Sequence, residues 1–413
     1  VGSEMCIRDS ILPEHRKETA MSTTTTSSSE GSCTREPVIE FQNFSFKYRA
    51  QTEPSLHDIN LRIYPGEKIL IAGPSGSGKS TLAHCINALI PCSFTGDVTG
   101  TLRVGGLNPS EVGVFGMSKK VGTVLQDTDG QFIGLTVAED LAFALENDAV
   151  AQDEIHEKVD AVANELNLKA LLHHAPGELS GGQKQRVSMG GVMVDDVDIL
   201  LFDEPLANLD PATGQKTIAL IDEIMQQKDL TVLIIEHRLE DVLYRDVDRV
   251  IVVNDGRIIA DKTPDELLCT DILPSQGIRE PLYVAALKYA GCRLCPADRP
   301  MHIESMNLEP YRKPLRDWFS AEPIPSRLNQ NDPVLEVKDL SFSYMHGEPV
   351  LQHVSFTLKK GEMVSLVGRN GAGKSTLSSL ICGFHRPDSG QILLNGKDIT
   401  PLSIKERGEQ IGL

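Results

Sequence analysis

The sequence predicts an α/β fold that is used twice along the chain. A short apolar run at 68–72 is typical of a buried parallel strand, and it leads into a glycine-rich segment at 73–81 followed by apolar residues at helical spacing. The glycine-rich segment GPSGSGKST returns as GRNGAGKST at 368–376, where a preceding strand is expected as well. Further apolar runs at 197–202 and 231–235 have the length of buried strands. Alternating strands and helices indicate an α/β domain, and the repeat indicates two copies of it.

Length, charge and hydropathy exclude several classes of protein. The 413 residues allow two or three domains at about 150 residues each. The net charge of −18 and the lack of a Lys/Arg-rich block argue against nucleic acid as a partner, because a phosphate backbone is bound by a basic surface. No apolar run approaches the ~20 residues that span a bilayer, so a membrane role is expected to require a partner protein.

The eight cysteines have no spacing typical of a disulfide framework and are interpreted as reduced thiols. Cys292 and Cys295 form the one close pair in the sequence. They could be half of a zinc site, but no second pair at ligand spacing follows, which favours two thiols of a connecting segment.

The repeat also sets the expected domain boundaries. Val1 to Ser10 resembles the translation of a sequencing-library adapter and is interpreted as a non-biological scar, and the Thr/Ser run that follows is low-complexity sequence expected to be disordered. Far fewer residues follow Lys374 than belong to the first copy after Lys79, so the second copy is expected to be truncated. The predicted organisation is a tail at 1–36, a complete first domain at 37–270, a spacer at 271–332 and the start of a second domain at 333–413.

The glycine-rich segment between strand and helix has the form of a P-loop, which holds the phosphates of a nucleotide. Gly76 and Gly78 let the main chain approach the phosphate oxygens, and the helix N-terminus adds a favourable dipole. Lys79 would reach the β- and γ-phosphates, and the Ser80 hydroxyl would ligate Mg²⁺. The predicted phosphate contacts are Gly73, Ser75, Gly76, Gly78, Lys79, Ser80 and Thr81, and in the second copy Gly368, Asn370, Gly371, Gly373, Lys374, Ser375 and Thr376, with Ser375 as the second Mg²⁺ ligand.

An acidic pair follows the apolar run at 197–202, which only Asp198 interrupts. Asp203 would hold Mg²⁺ indirectly, and Glu204 would polarise the water that attacks the nucleotide. An acidic pair after a strand is often a surface turn, but the strand and the P-loop upstream favour catalysis here.

The segment LSGGQ offers a second helix end suited to phosphate. Ser180 is a natural N-cap, Gly181 and Gly182 expose main-chain N–H groups, and Gln183 completes the segment. Ser-Gly-Gly also occurs in ordinary turns, so the motif alone is weak evidence for a phosphate site. Its position shortly before the strand at 197–202 strengthens the prediction.

Two single residues follow predicted strands. Gln126 could ligate Mg²⁺ and sense the γ-phosphate, and a neutral His237 could donate a hydrogen bond to that phosphate. For either residue taken alone, an ordinary structural role in the core or on the surface is more frequent than a role in nucleotide binding.

Taken together, Tyr48, GPSGSGKST, Gln126, LSGGQ, ILLFDE, the segment ANLD that ends in Asp210, and His237 resemble the ABC-type ATPase domain, fully over 37–270 and partly over 333–413. The resemblance implies a P-loop NTPase fold with a RecA-like core, an antiparallel β part and a helical subdomain between Gln126 and LSGGQ. Apolar residues at helical spacing over 153–172 are consistent with that subdomain. The resemblance further implies that Tyr48, like Tyr344 in the second copy, stacks on adenine and that Asp210 lies in a loop touching the opposite domain.

The segments 126–133 and 235–240 resemble the extended Q-loop and switch segment of energy-coupling-factor (ECF) ATPases. Two such domains joined by a spacer resemble the tandem ATPases of thiamine-precursor importers. This resemblance implies an ATP- and Mg²⁺-dependent ATPase, peripheral at the cytoplasmic face of the cell membrane, that works with a transmembrane coupling (T) subunit and a substrate-binding (S) subunit. The expected cargo is a vitamin or vitamin precursor, with a thiamine precursor favoured, or a cobalt-like ion.

The resemblance implies that each ATP is sandwiched between the P-loop of one domain and the LSGGQ helix of the other, so the two domains of the intact protein are expected to pair. The counterpart of Gln126 in the second copy would fall beyond Leu413, so this chain is expected to show little ATPase activity unless first domains pair between molecules. Two alternatives remain: a soluble tandem ATPase of translation-factor type, which usually has a basic linker, and a chromosome or repair ATPase, which needs long heptad arms.

Overall fold

The structure is a computed structural model that describes residues 35–127, 129–207, 209–321, 332–344, 349–369 and 371–412. The predicted scar and low-complexity run lie outside these residues. The strands are β1 (Ile39–Tyr48), β2 (Leu56–Ile63), β3 (Lys68–Ala72), β4 (Gly96–Val104), β5 (Val121–Val124), β6 (Ile199–Asp203), β7 (Thr231–Ile235), β8 (Arg249–Asn254), β9 (Arg257–Lys262), β10 (Pro333–Ser343), β11 (Pro349–Lys359), β12 (Ser389–Leu394) and β13 (Lys397–Asp398).

The helices alternate with these strands over most of the first domain. They are α1 (Lys79–Ile86), α2 (Leu89–Cys92), α3 (Pro109–Ser118), α4 (Val137–Asn147), α5 (Gln152–Glu165), α6 (Gly181–Met193), α7 (Pro211–Lys228), α8 (Leu239–Val242), α9 (Pro264–Leu268), α10 (Ile272–Ser275), α11 (Leu282–Tyr289), α12 (Arg312–Ala321), α13 (Lys374–Cys382) and α14 (Ile404–Gly408). None of the helices in the described ranges is long and apolar enough to cross a membrane.

A six-stranded sheet in the order β5-β6-β7-β3-β8-β9 forms the centre of the first domain, parallel except for β9. Its strands β3 and β7 are buried along their whole length, as the continuous apolar runs predicted. Alternate residues of β3 enter two different cores: Ile69 and Ile71 pack with the antiparallel sheet, while Leu70 and Ala72 pack with the helices of the opposite face. The central sheet is therefore covered on both sides, and its carboxyl edge carries the loops described below.

The two smaller parts of the domain complete the predicted α/β fold. The antiparallel sheet β2-β1-β4 packs on one face through Phe41, Phe46 and Ile59. The helical subdomain of α4, α5 and α6 lies on the other face, and α4 begins with a capping box between Thr136 and Glu139.

Helix α5 differs from the sequence prediction at its end. The apolar spacing suggested helical structure over 153–172, but α5 ends at Glu165 and a separate 3-10 turn covers Lys169–Leu171. Asn167 has a φ of 53°, a left-handed conformation that asparagine tolerates and that ends the helix. The connection between α5 and the turn still buries Leu166 and Leu168, which explains why the apolar pattern continues past the helix.

The described part of the spacer, 271–321, packs as an extension of the first domain rather than as a solvated connector. Leu273, Ile278 and Val284 are buried in the same core as the helices of that domain. A smaller cluster of Leu287, Met306 and Tyr311 lies beside it. Of the two spacer cysteines, Cys292 is half-buried, and Cys295 donates from its thiol to the Asp298 carboxylate at 3.1 Å.

The second copy forms an antiparallel sheet in the order β11-β10-β12-β13, followed in the chain by the P-loop helix α13. The expected strand before its glycine-rich loop is absent from the described structure: 362–369 is irregular, with Met363 88% and Val367 83% exposed. A strand needs hydrogen-bonding neighbours, and β3 has β7 and β8 on its two sides. Within the described residues 332–412 no strand pairs with this segment, so the prediction of a second buried strand was wrong.

Candidate active site

The P-loop lies between β3 and α1, at the carboxyl edge of the central sheet. Gly76 and Gly78 have φ values of 78° and 103°, which favour glycine, and a Cβ on Gly78 would lie 2.8 Å from the Ser55 carbonyl oxygen. Lys79 is only 4% exposed and donates from Nζ to the carbonyls of Gly73 at 3.0 Å and Pro74 at 2.9 Å. The loop lines a cavity of about 820 Å³, so a close main-chain cradle and a buried cation are ready to receive phosphate.

Carboxylates surround the buried lysine. Burial lowers the pKa of Lys79, while the charges of Glu204, Asp203 and Glu236 act against that shift. The hydrogen-bond partners of Lys79 Nζ are two neutral carbonyl groups. A phosphate that entered the cavity would give this ammonium a close anionic partner.

Ser80 and Asp203 form the oxygen pair expected for Mg²⁺. The Ser80 hydroxyl donates to Asp203 Oδ1 at 3.4 Å, joining the start of α1 to the end of β6. Burial raises the pKa of Asp203, and the hydrogen bond from Ser80 opposes this shift. A hydroxyl and a carboxylate are hard ligands that fit Mg²⁺.

Glu204 is held in an unusual backbone conformation by several contacts. Its φ is 50°, an uncommon conformation for a residue with a side chain, and its N–H donates to the Ile235 carbonyl at 2.9 Å. Gln126 Nε2 donates to Glu204 Oε2 at 2.8 Å, and His237 Nε2 lies 2.7 Å from Glu204 Oε1. An ionised carboxylate can only accept, so the imidazole N–H at Nε2 donates. The structure thus brings Gln126, Glu204 and His237 together, but it places Gln126 on Glu204 rather than beside Ser80.

Tyr48 lies at the rim of the cavity. Its hydroxyl is 3.2 Å from Thr81 Oγ1, and its ring meets the Phe46 ring edge-on at 4.7 Å. The second copy repeats the contact, with the Tyr344 hydroxyl 3.2 Å from Thr376 Oγ1. Both tyrosines are therefore held at the start of their P-loop helix.

Sequence reasoning missed one wall of the cavity, formed by the loop at 50–57 and the turn at Asp255 and Gly256. A Cβ on Gly256 would lie 2.5 Å from the Ser55 carbonyl oxygen, and His57 N donates to the Gly256 carbonyl at 2.8 Å. An Asp-Gly pair between two apolar runs predicts a hairpin turn, but not its position beside the P-loop.

The LSGGQ segment does not line the P-loop cavity of its own domain. Ser180 N donates to Gln183 Oε1 at 2.8 Å at the start of α6, and Ser180, Gly182 and Gln183 line a separate cavity of about 460 Å³. Gly181 lines a small space next to Gln126 and Glu204.

Asp210 caps helix α7. It accepts hydrogen bonds from Thr213 N at 3.2 Å and Thr213 Oγ1 at 2.8 Å. These bonds lower the pKa of Asp210, and the positive charge of Arg369, in the second P-loop, acts in the same direction.

The second P-loop repeats the local contacts of the first. Lys374 Nζ donates to the carbonyls of Gly368 and Arg369, each at 2.7 Å, and Gly371 and Gly373 have φ values of 79° and 87°. Ser375 is exposed, and Asn370 lies outside the described residues.

Comparisons with known proteins agree with this geometry. A family model described as ABC transporter matches residues 56–207 and 351–413, about half of the chain. A second model, described as ATP-binding cassette cobalt transporter, matches residues 270–342, which cover the spacer and most of β10.

Two relatives described as ABC transporter ATP-binding proteins match over 379 residues each. The relative from Enterococcus faecalis is 56% identical over 92% of this chain and 66% of its own length. The relative from Clostridium perfringens is 51% identical over 92% of this chain and 67% of its own length. The chain therefore spans about two thirds of the length of these relatives.

A solved structure, cbiO1 from Clostridium perfringens, described as part of the ABC transporter complex cbiONQ, matches with a TM-score of 0.53 and 27% identity. The match covers 61% of this chain and 99% of that chain. Family models, relatives and fold agree with the P-loop geometry, and the chain belongs to the family of ABC transporter ATP-binding proteins.

Proposed function

We propose that this protein binds and hydrolyses ATP to power an ECF-type importer. The observation that carries the proposal is the position of Glu204, which is held between Gln126 and His237 at the mouth of a cavity whose floor is the P-loop with Lys79. A carboxylate fixed beside a phosphate cradle is suited to orient a water for attack on a γ-phosphate.

Each residue has a separate part in hydrolysis. Lys79 exchanges its carbonyl partners for the β- and γ-phosphates and stabilises their charge. Ser80 and Asp203 would hold Mg²⁺, which when bound neutralises charge that develops on the phosphates. Glu204 accepts a hydrogen bond from the attacking water with a lone pair that Gln126 and His237 leave available, since each carboxylate oxygen has two acceptor sites.

Pairing of the two ATPase copies is part of the proposal. The LSGGQ segment lies apart from the P-loop of its own domain, so it is available to a nucleotide held by a facing domain. The positive charge of Arg369 helps to lower the pKa of Asp210, which supports an approach of the second P-loop to the first domain.

A groove beside Gln126 supports docking of a transmembrane T subunit. It has a volume of about 370 Å³ and is lined mainly by apolar side chains of α3, α4, β5 and the residue after β5, among them Phe115, Phe143 and Leu125. Phe115 is 67% exposed even though the Lys119 ammonium lies over its ring, 5.5 Å from the centroid, and so much exposed aromatic surface is typical of a protein interaction site. Because Leu125 precedes Gln126, a protein in this groove would act directly on the contact between Gln126 and Glu204.

The importer would take up a cobalt-like ion or a vitamin precursor through a separate S subunit, with this chain peripheral at the cytoplasmic face. The cobalt-transporter description of the spacer model supports the ion, and the sequence resemblance to thiamine-precursor importers supports the vitamin precursor. The same spacer match disfavours the soluble translation-factor type.

Co-expression with the T and S subunits of an ECF-type importer tests the proposal. We expect the chain to co-purify with a T subunit, to bind Mg-ATP and to support ATP-dependent uptake of radioactive cobalt or a thiamine precursor. Phe115→Asp should abolish co-purification, whereas Ile259→Asp, a matched change at another exposed apolar residue, should not. Co-purification with ribosomes instead of a membrane subunit would contradict the proposal.

A further inference from the structure

Glu236, next to the switch histidine, is a buried carboxylate that the hydrolysis mechanism does not use. It is only 2% exposed. Its Oε1 accepts from the main-chain N–H groups of His237 at 2.8 Å and Arg238 at 3.2 Å, and its Oε2 accepts from Leu206 N at 3.1 Å. A buried charge is retained only with such partners, and here they belong to two separate segments of the chain.

Arg238, on the other side of the histidine, joins the same two segments. Its Nη1 donates to the carbonyls of Leu206 at 3.1 Å and Leu209 at 3.2 Å, and its Nη2 pairs with Asp241 at 2.6 Å. The planar guanidinium can hold several acceptors at fixed angles, which a lysine cannot do.

These contacts connect the switch to the loop between Glu204 and Asp210. Leu206 donates from its N–H to Glu236 and accepts on its carbonyl from Arg238, so its main chain is held from both sides of His237. Leu206 lies two residues after Glu204, the carboxylate that His237 contacts, so these bonds join the chain segments of both partners in that contact.

We propose that Glu236 and Arg238 are positioning residues that make His237 and the main chain at Leu206 and Leu209 move as one unit. Both side chains thereby keep the His237 ring within hydrogen-bond reach of Glu204. The inference rests on the proposed ATP hydrolysis, because it assigns a role within the same site.

The test uses Glu236→Gln, which replaces one acceptor oxygen with an amide that cannot accept, together with Arg238→Met and Arg238→Lys. Arg245→Met is the matched control, because Arg245 lies outside this network, with its guanidinium over the Tyr244 ring. The readouts are ATP turnover of the assembled importer, affinity for Mg-ATP, and amide hydrogen exchange at 205–210.

We expect Glu236→Gln and Arg238→Met to lower kcat by about tenfold or more, since a small misplacement of a reacting group is costly, while KM and Mg-ATP affinity stay near wild type. Exchange should rise at 205–210, Arg238→Lys should restore part of kcat, and Arg245→Met should change nothing. Unchanged exchange at 205–210 would overturn the inference, as would parallel losses of kcat, ATP affinity and melting temperature. If the wild type bound no ATP, the proposed function would fail, but the exchange measurement would still decide whether the unit exists.

Discussion

The two P-loops of this chain make the same local contacts in different surroundings. Lys79 and Lys374 each donate to two carbonyls of their own loop, and Tyr48 and Tyr344 each contact the threonine that ends the motif. The first loop follows the buried strand β3, whereas the second follows an irregular, exposed segment. The contrast indicates that the motif itself forms the cradle, while burial of the lysine depends on strands from elsewhere in the chain.

The largest expected effect is on ATP turnover, which should depend on the catalytic carboxylate Glu204, whereas ATP binding should depend on the P-loop. Glu204→Gln should lower ATP turnover by roughly 10²–10⁴-fold, because an amide is a poor acceptor for a proton from water. Mg-ATP binding should persist, since the P-loop is intact. Steady-state ATPase assays with calorimetric binding check this, with Glu178→Gln as a control on an exposed glutamate. Equal losses of turnover and binding would contradict the separation.

The next effect concerns the strand in front of each loop. Ile71→Ala, in the buried β3, should lower the free energy of unfolding by roughly 2–5 kcal/mol. Leu366→Ala, at the corresponding position of the second copy, where the side chain is exposed, should change it by no more than about 0.5 kcal/mol. Chemical denaturation followed by circular dichroism measures both. A similar loss at the two positions would show that the second segment is buried after all.

The lysines should differ as well. Lys79→Ala should weaken Mg-ATP binding at the first site by roughly 10–100-fold, as expected for loss of a charge-assisted hydrogen bond of about 1.5–3 kcal/mol. Lys374→Ala should weaken total binding less, because Lys374 is more exposed and its contact with phosphate is screened by water. Titration with a fluorescent ATP analogue compares the variants. Equal effects would mean that burial does not distinguish the two cradles.

The smallest effect comes from Asp203. Burial raises its pKa, so the folded chain binds a proton at this carboxyl more readily than the unfolded chain does. Acidification toward the unfolded pKa should therefore stabilise the fold through this group, and the gain is lost as the pH rises through the folded pKa. Asp203→Asn should raise the free energy of unfolding near pH 7 and should abolish Mg²⁺-dependent tightening of ATP binding.

Denaturation at pH 7 and in mild acid checks the Asp203 prediction. The stabilising effect of Asp203→Asn should shrink as the pH falls, because the wild-type carboxyl then becomes neutral too. A stabilisation that grew on acidification would have the wrong sign.

Several elements follow directly from sequence patterns. Continuous apolar runs predicted β3, β6 and β7, because strands of a covered parallel sheet are buried on both faces. The same apolar criterion could not show where α5 ends, since a turn can bury leucines as well as a helix can. It also gave no sign that the described spacer packs into the first domain through Leu273 and Val284.

By itself, the sequence determined the phosphate cradle, because the spacing of glycines and lysine within nine residues sets the backbone conformation and the local hydrogen bonds. Only the tertiary structure decided that Gln126 and His237 meet at Glu204, from which they are separated by 78 and 33 residues in the chain. Such contacts depend on the order of β5, β6 and β7 in the sheet, which places three distant strand ends side by side. The second P-loop shows the same division. Its cradle forms from local hydrogen bonds, although no described strand lies beside the segment before it.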